Sequence, residues 1–153
     1  MLDVGENAPE FTLPQDGGED VTLSSLRGAP VVLYFYPKDD TSGCTKEAIA
    51  FTEALPAFDA FGVKILGVSK DTVAKHAKFR AKYDLGVGLL SDEDGAVCQA
   101  YGVWVEKQMY GKTYMGIERA TFLIDAEGKL AKIWRKVKVP GHAEAVLEAA
   151  KAL

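Results

Sequence analysis

The sequence predicts an α/β sandwich, in which a central mixed, mostly parallel sheet is flanked by helices. An unbroken apolar run over 31–36 is typical of a strand that is buried on both faces, and the segment over 63–68, in which Lys64 is the one charged residue, predicts a second apolar strand. A segment with apolar residues at helical spacing lies between them, over 45–61. Because strand–helix–strand order favours parallel strands with helices on the sheet faces, these three segments set the fold class. The chain has 153 residues and no linker, repeat or low-complexity stretch, so we expect one domain over 1–153.

Turn residues separate the other predicted elements, and the order of these elements corresponds to a thioredoxin-like sandwich. In chain order they are an N-terminal β-hairpin extension over 11–23, a helix over 72–83, a strand over 87–90, a short helix over 94–101, a hairpin over 120–137 and a helix over 142–152. Pro56 is expected to bend or split the helix over 45–61, because proline lacks the amide hydrogen that a helix interior requires.

The charge balance excludes two classes of partner. The chain has 18 Lys and Arg residues against 22 Asp and Glu residues, which gives a formal net charge of −4. A protein that binds nucleic acid or an anionic membrane needs a positive surplus, so we expect neither partner. The first residues lack the basic start and apolar core of a targeting segment, and no apolar run approaches the roughly 20 residues of a membrane helix. We therefore expect a cytoplasmic protein.

The two cysteines, Cys44 and Cys98, are too few for a disulfide scaffold, and their spacing fits neither a CxxC pair nor a zinc site. Cys44 follows the buried strand over 31–36 and lies near the start of a predicted helix. Open α/β sheets place ligands and catalytic groups at this end of their strands. Unpaired amide hydrogens and the helix dipole favour an anion there, so Cys44 is a candidate nucleophile.

A fast thiol enzyme needs more than an ionised cysteine. Complete ionisation of a cysteine with the ordinary pKa of about 8.5 raises its reactive fraction only about thirtyfold at neutral pH, which corresponds to about 2 kcal/mol. The transition state also needs a nearby hydroxyl and a fixed cation. Thr41, three positions before Cys44, offers the hydroxyl, and Arg119, at the entry to the strand over 120–125, offers the cation. Pro37 ends the buried strand and keeps the pocket wall apolar.

The spacing Pro37-x-x-x-Thr41-x-x-Cys44, with Arg119 downstream before a strand, resembles the active-site signature of the peroxiredoxins. The surrounding segments YFYPKDDTSGCTKEA, LSDEDGAVCQAYGVW and GKTYMGIERATFLID are similar to the Q-type subfamily, also called bacterioferritin comigratory proteins. The similarity extends from Gly5 to the last helix. It implies a thiol-dependent peroxidase that reduces hydrogen peroxide and organic hydroperoxides to water or alcohol and is left with a sulfenic acid.

The same resemblance implies roles for individual residues. Cys44 is the nucleophile, Thr41 and Arg119 hold and polarise the peroxide, and Pro37 shields the sulfur from over-reaction. The resemblance implies no metal and no organic cofactor. The expected partners are a hydroperoxide substrate and a thiol reductant, and the expected assembly state is a monomer.

The sequence departs from the Q-type pattern at three positions. Ser42 stands where these proteins usually have proline, a change that we expect to alter the stiffness of the loop more than its chemistry. Q-type proteins that form an internal disulfide carry the second cysteine five residues after the first or in the following helix, and the corresponding positions here are Ile49 and Arg80. Neither side chain forms a disulfide. We therefore favour a one-cysteine mechanism, in which thioredoxin, glutaredoxin or a low-molecular-weight thiol reduces Cys44.

Two alternatives stay open at this point. Cys98 is the only other internal thiol, and a Cys44–Cys98 disulfide is the two-cysteine alternative, although the neighbours of Cys98 have the helix-face spacing typical of a small buried side chain. Oxidation of Cys44 that changes binding to a partner protein, as in a redox sensor or a holdase, is the second. A thioredoxin-like disulfide oxidoreductase is disfavoured, because Cys44 belongs to no CxxC motif.

Other residues carry structural expectations. Glu47 is expected to support the helix start or to pair with an arginine, and helix capping is a further possible role for Thr41. His76 and His142 are expected at the surface or in caps. An aromatic-rich segment precedes Arg119. Core packing is favoured over a pocket wall or a reductant-docking surface for its members, Trp104, Tyr110, Tyr114 and Met115.

Overall fold

A five-stranded sheet lies at the centre of the computed structural model, which describes residues 1–153. In chain order the strands are β1 (Thr12–Leu13), β2 (Val21–Thr22), β3 (Val31–Phe35), β4 (Lys64–Ser69), β5 (Gly88–Ser91), β6 (Trp104–Met109), β7 (Lys112–Ile117), β8 (Ala120–Ile124) and β9 (Leu130–Trp134). The α-helices are α1 (Ser42–Ala60), α2 (Val73–Tyr83), α3 (Ala96–Ala100) and α4 (His142–Lys151), and a short 3-10 helix covers Leu23–Leu26. None of the helices combines the length and the apolar character that a membrane-spanning helix requires.

The strands of the central sheet follow the order β5-β4-β3-β8-β9. β3 pairs in parallel with β4, and β4 with β5. β8 runs antiparallel to both of its neighbours, β3 and β9, and is the one strand with reversed direction. The sheet is therefore mixed, which confirms the predicted thioredoxin-like α/β sandwich and places β3 in the middle.

Strand β3 divides the hydrophobic core into two layers. All five of its residues are buried. Leu33 packs into the cluster that contains Cys98, and its neighbour Tyr34 packs into the cluster that contains Cys44. Because successive side chains of a strand point to opposite faces, the two cysteines lie on opposite sides of the sheet.

Helix α1 runs without interruption from Ser42 to Ala60 and contains Pro56, so of the two expected effects of this proline, a bend or a split, the split is wrong. Phe51 and Phe58, which flank the proline, are fully buried. Their packing offsets the one hydrogen bond that proline removes from the helix. The helix therefore presents a continuous apolar face to the sheet.

Both predicted hairpins are present. β1 and β2 form the N-terminal hairpin with Thr12 opposite Thr22, and β8 and β9 form the hairpin at the sheet edge. A third hairpin, β6–β7, precedes Arg119 and is not predicted by the sequence pattern. Tyr110 and Gly111 form its turn with φ values of 52° and 75°, the geometry that a two-residue hairpin turn requires.

The β6–β7 hairpin changes the interpretation of the aromatic-rich segment. Core packing is wrong for three of its four residues, because Tyr110 is 96% exposed, Met115 49% and Tyr114 43%. Only Trp104, at the base of the hairpin, packs against the core. The hairpin holds its tip residues away from the sheet, so these side chains cannot reach the core.

Candidate active site

Cys44 lies in the first turn of α1, directly after the loop that leaves β3. Thr41, the extended residue at the N-cap, ends this loop. Cys44 is only 2% exposed. The first amide hydrogens of a helix have no acceptor within the helix, so they are available to a group that binds at this end of α1.

The guanidinium of Arg119 lies beside the sulfur of Cys44. Arg119 directly precedes β8, whose residue Ala120 pairs with Phe35 at the end of β3. This register brings Arg119 to the point where the chain leaves the sheet toward Cys44. Arg119 Nη2 is 3.4 Å from Cys44 Sγ, so a fixed positive charge faces the thiol.

Glu47, one turn after Cys44, holds the other side of the same guanidinium. Arg119 Nη1 donates to Glu47 Oε1 at 2.6 Å, which agrees with the expected pairing with an arginine. Burial raises the pKa of Glu47 to about 7, although the charge and the hydrogen bond of Arg119 act in the opposite direction. The second carboxylate oxygen is buried without a hydrogen-bond partner in the protein. The ion pair therefore fixes the guanidinium against the first turns of α1.

Gly43 makes room for the approach of Arg119. A Cβ atom at this position would lie 3.1 Å from Arg119 Nη2, closer than side chains normally pack. Gly43 is not among the site residues that the sequence predicts. Its place next to a candidate nucleophile is the only sequence signal that points to it.

Thr41 and Pro37 lie at the two ends of the loop before α1. The Thr41 hydroxyl donates to the carbonyl oxygen of Lys38 at 2.8 Å. It makes no bond to an amide of α1, so helix capping is wrong for this residue. Its lone pairs are able to accept a hydrogen bond from a peroxide. Half-buried Pro37 follows Tyr36, whose amide makes the last bond to Val68 of β4, and proline has no amide to continue the ladder.

Cys98 lies on α3 and is fully buried. Its backbone amide donates to Asp92 Oδ2 at 2.8 Å, which fixes the start of this short helix. Burial, with a further contribution from Asp92, raises the pKa of the Cys98 thiol well above its ordinary value. These surroundings favour a neutral, packed side chain.

Packed side chains occupy both positions at which the resemblance in the sequence places a second cysteine. Ile49 is half-buried against the core that contains Cys44. Arg80 binds both carboxylate oxygens of Asp16, at 2.6 and 3.0 Å, and donates to the carbonyl oxygens of Leu85 and Val87 at 2.7 and 2.9 Å. Arg80 thereby ties α2 to the N-terminal hairpin and to the approach to β5.

Both histidines are buried, so the expected surface or cap roles are wrong. His76 Nδ1 lies 2.6 Å from Asp39 Oδ2. Burial alone would lower the pKa of His76, but the hydrogen bond and the charge of Asp39 raise it above its ordinary value. His142 Nε2 lies 2.8 Å from the Thr121 hydroxyl, and burial, followed by the charge of Arg119, lowers its pKa to about 4. Both rings thus help to hold the core around the site.

The stability of the fold is expected to depend on pH through Glu47. The folded-state pKa of Glu47, about 7, exceeds the ordinary value of 4.5. The contribution of Glu47 to the free energy of unfolding is therefore complete below about pH 4.5 and is lost as the pH rises through about 7. Each pKa unit corresponds to about 1.4 kcal/mol, which gives a loss on the order of 3 kcal/mol. Denaturant titrations of wild type and Glu47→Gln across this window measure the difference. Equal pH dependence in both proteins would contradict the expectation.

Comparison with known proteins identifies the family. The AhpC/TSA family model matches residues 4–133. The chain is 53% identical to the putative peroxiredoxin bcp of Coxiella burnetii over 146 residues, which cover 95% of this chain and 97% of that protein. It is 47% identical to peroxiredoxin Bcp of Bacillus subtilis over 150 residues, which cover 98% of this chain and 96% of that protein.

Solved structures agree with the sequence relatives. The bacterioferritin comigratory protein of Xanthomonas campestris, whose trapped intermediate and ligand complex structures concern alkyl peroxide reduction, matches with a TM-score of 0.91 at 49% identity over 98% of each chain. A cysteine-to-serine mutant of Xylella fastidiosa PrxQ matches with a TM-score of 0.94 at 41% identity, over 99% of this chain and 97% of that one. The chain therefore belongs to the AhpC/TSA family and is a thiol-dependent peroxidase of the peroxiredoxin group that includes Bcp and peroxiredoxin Q.

Proposed function

We propose that Cys44 is the only cysteine of this chain that takes part in peroxide reduction, and that an external thiol reduces its sulfenic acid. The observation that carries this proposal is the placement of Cys98 in the core layer on the other side of the sheet. A disulfide needs Cα atoms about 4.4–6.8 Å apart. Because the fully buried strand β3 separates the two layers, a Cys44–Cys98 bond would require the core to open.

In the first half-reaction, the Cys44 thiolate attacks one oxygen of the hydroperoxide. A sulfur–oxygen bond forms, the oxygen–oxygen bond breaks, and its electron pair leaves with the other oxygen as alkoxide or hydroxide. A proton converts this product to alcohol or water, and Cys44 is left as a sulfenic acid. Hydrogen peroxide and organic hydroperoxides share this bond, and the relation to the Xanthomonas protein supports organic substrates.

Three neighbours assist this step. Arg119, with Nη2 3.4 Å from Sγ, places its charge beside the nucleophile and the departing oxygen. Thr41, whose proton is donated to Lys38, accepts a hydrogen bond from the hydroperoxide and orients it. Pro37 forms an apolar wall that shields the sulfur from over-reaction.

In the second half-reaction, an external thiol attacks the oxidised sulfur of Cys44. This attack releases water and gives a mixed disulfide, and a second thiol then frees Cys44. Thioredoxin, glutaredoxin and low-molecular-weight thiols all supply this chemistry. We place the reaction in the cytoplasm, where thiols are kept reduced, and in a monomer whose one domain covers 1–153. No specific observation favours the redox sensor or holdase alternative.

Intact-mass measurement after one equivalent of hydrogen peroxide, without added thiol, tests the one-cysteine mechanism. The expected product carries one additional oxygen, which a sulfenic-acid probe locates on Cys44. Cys98→Ser is the matched control, because it removes the only other sulfur able to form an internal disulfide, and it is expected to give the same product. A loss of two hydrogens with a crosslinked Cys44–Cys98 peptide in the wild type would overturn the proposal.

A further inference from the structure

A set of hydrogen bonds holds one peptide unit of the loop that precedes α1. This unit joins Lys38 and Asp39. Its carbonyl oxygen, on Lys38, accepts from Thr41 Oγ1 at 2.8 Å. Its amide, on Asp39, donates to Asp71 Oδ2 at 2.8 Å. Asp71 therefore binds one end of a peptide unit whose other end holds the Thr41 hydroxyl.

The surrounding core fixes Asp71 in turn. Asp71 lies just after β4 and is 8% exposed. The Ser69 hydroxyl donates to Asp71 Oδ2 at 2.7 Å, and the Ser91 hydroxyl donates to the Asp71 carbonyl oxygen at 2.5 Å. A carboxylate bound in this way cannot turn without leaving buried polar groups unsatisfied. The amide of Asp39 is thus held from a rigid position.

The side chain of Asp39 restrains the same peptide unit from a second direction. The Tyr36 hydroxyl donates to Asp39 Oδ1 at 2.6 Å, and Asp39 Oδ2 lies 2.6 Å from His76 Nδ1. His76 Nε2 lies 2.9 Å from the Leu90 carbonyl oxygen. Because a carbonyl oxygen only accepts, Nε2 must carry a hydrogen and donate it. The loop is therefore anchored to α2 and β5 as well as to the end of β4.

This anchoring determines how the Thr41 hydroxyl is used. A hydroxyl has a single proton, and here that proton is committed to the Lys38 carbonyl oxygen. The oxygen lone pairs remain for the O–H of a hydroperoxide. We propose that Asp71 is a positioning residue for peroxide reduction, which holds the Lys38–Asp39 peptide so that Thr41 accepts from the substrate. This inference rests on the role of Thr41 in the proposed function.

A double-mutant cycle between Asp71 and Thr41 tests the inference. Asp71→Ala is expected to lower the rate constant for Cys44 oxidation by hydrogen peroxide about tenfold, since the peptide loses its anchor. Asp71→Asn keeps the shape but accepts more weakly than a carboxylate, so a loss of about threefold is expected. In a Thr41→Val background, both changes are expected to alter the rate constant by less than about twofold, because the residue through which they act is absent.

If the role of Asp71 is purely structural, its substitution lowers the rate constant equally in the wild-type and Thr41→Val backgrounds, and that result would overturn the inference. An unchanged rate constant when Thr41 is present would also overturn it. Tyr101→Phe is the matched control, because it removes a hydrogen bond to the Pro9 carbonyl oxygen in the core layer that contains Cys98 and leaves every bond of Asp71 in place. It is expected to lower the Tm and to keep the wild-type rate, and a loss as large as that of Asp71→Asn would count against the inference. If Asp71→Ala does not fold, the Asp71→Asn cycle decides.

The outcome also distinguishes this inference from the proposed function. If Cys44 of the Thr41→Val variant is oxidised at the wild-type rate, Thr41 has no role in peroxide reduction, and Asp71 then has no role through it. The one-cysteine mechanism is judged separately, by the mass of the oxidised wild-type protein. A cycle that shows no coupling while Thr41→Val is slow would overturn only the role of Asp71.

Discussion

Arg119→Leu is expected to slow the oxidation of Cys44 by hydrogen peroxide about 10²–10³-fold, the usual loss when one group that stabilises a developing negative charge is removed. The guanidinium lies 3.4 Å from Cys44 Sγ and is held there by Glu47. Leucine covers part of the same apolar surface but carries no charge and no donor. The departing oxygen then leaves without a cation beside it, so the barrier to cleavage of the oxygen–oxygen bond rises.

Stopped-flow measurement of the second-order rate constant for oxidation by hydrogen peroxide checks this expectation. Cys44→Ser, which lacks the reacting thiol, is the inactive control. Arg119→Leu also leaves the buried Glu47 carboxylate without its partner, which destabilises a fold. The same change in a Glu47→Gln background separates the loss of charge from this destabilisation. If Arg119→Leu changes the rate constant of the Glu47→Gln protein by less than about threefold, that result contradicts the electrostatic role of Arg119.

Gly43→Ala gives a milder form of the same experiment. The added Cβ would lie 3.1 Å from Arg119 Nη2 and would displace the guanidinium without removing it. A loss of about tenfold is expected, because small displacements of a reacting group slow catalysis strongly. Ser42→Ala, at the preceding position of the same helical turn, is the matched control and is expected to keep the wild-type rate.

The local part of the site can be predicted from the sequence, because the loop and helix start over 37–44 are continuous in the chain. Arg119 is 75 positions from Cys44, and only the family resemblance connects the two in the sequence. The structural connection is the antiparallel pairing of β3 with β8, in which Phe35 lies opposite Ala120. Hydrophobic periodicity predicts that strands exist but does not specify which strands are neighbours.

The burial of His76 has a signal in the sequence, whereas its hydrogen-bond partner has none. Phe79, three positions later on α2, is buried, and residues at this spacing share a helix face. That spacing places His76 inside the fold rather than in a surface or cap role. Its partner Asp39, however, is 37 positions away, and no local pattern specifies a partner at that distance. Buried polar pairs of this kind depend on tertiary packing alone.

The place of a second cysteine in related proteins leads to the other large expected effect. Arg80 occupies this place on α2 and makes four hydrogen bonds, two to the Asp16 carboxylate and two to backbone carbonyl oxygens. Arg80→Cys removes all four and introduces a thiol where Q-type proteins with an internal disulfide have one. The free energy of unfolding is expected to fall by about 2 kcal/mol, less than for a fully buried pair because the Arg80 side chain is 31% exposed.

The exposed bonds of Lys82 and Tyr83 to Asp40 still hold the last turn of α2, but we expect this turn to unwind more easily and to bring the introduced thiol to Cys44. One equivalent of hydrogen peroxide is expected to give a disulfide between Cys44 and the new cysteine, seen as a loss of two hydrogens in the intact mass instead of the gain of one oxygen. Arg80→Ser loses the same hydrogen bonds without adding sulfur, so it should be equally destabilised and should still accumulate the sulfenic acid. If Arg80→Cys also accumulates sulfenic acid, then the identity of residue 80 does not by itself determine whether the resolving thiol is internal or external.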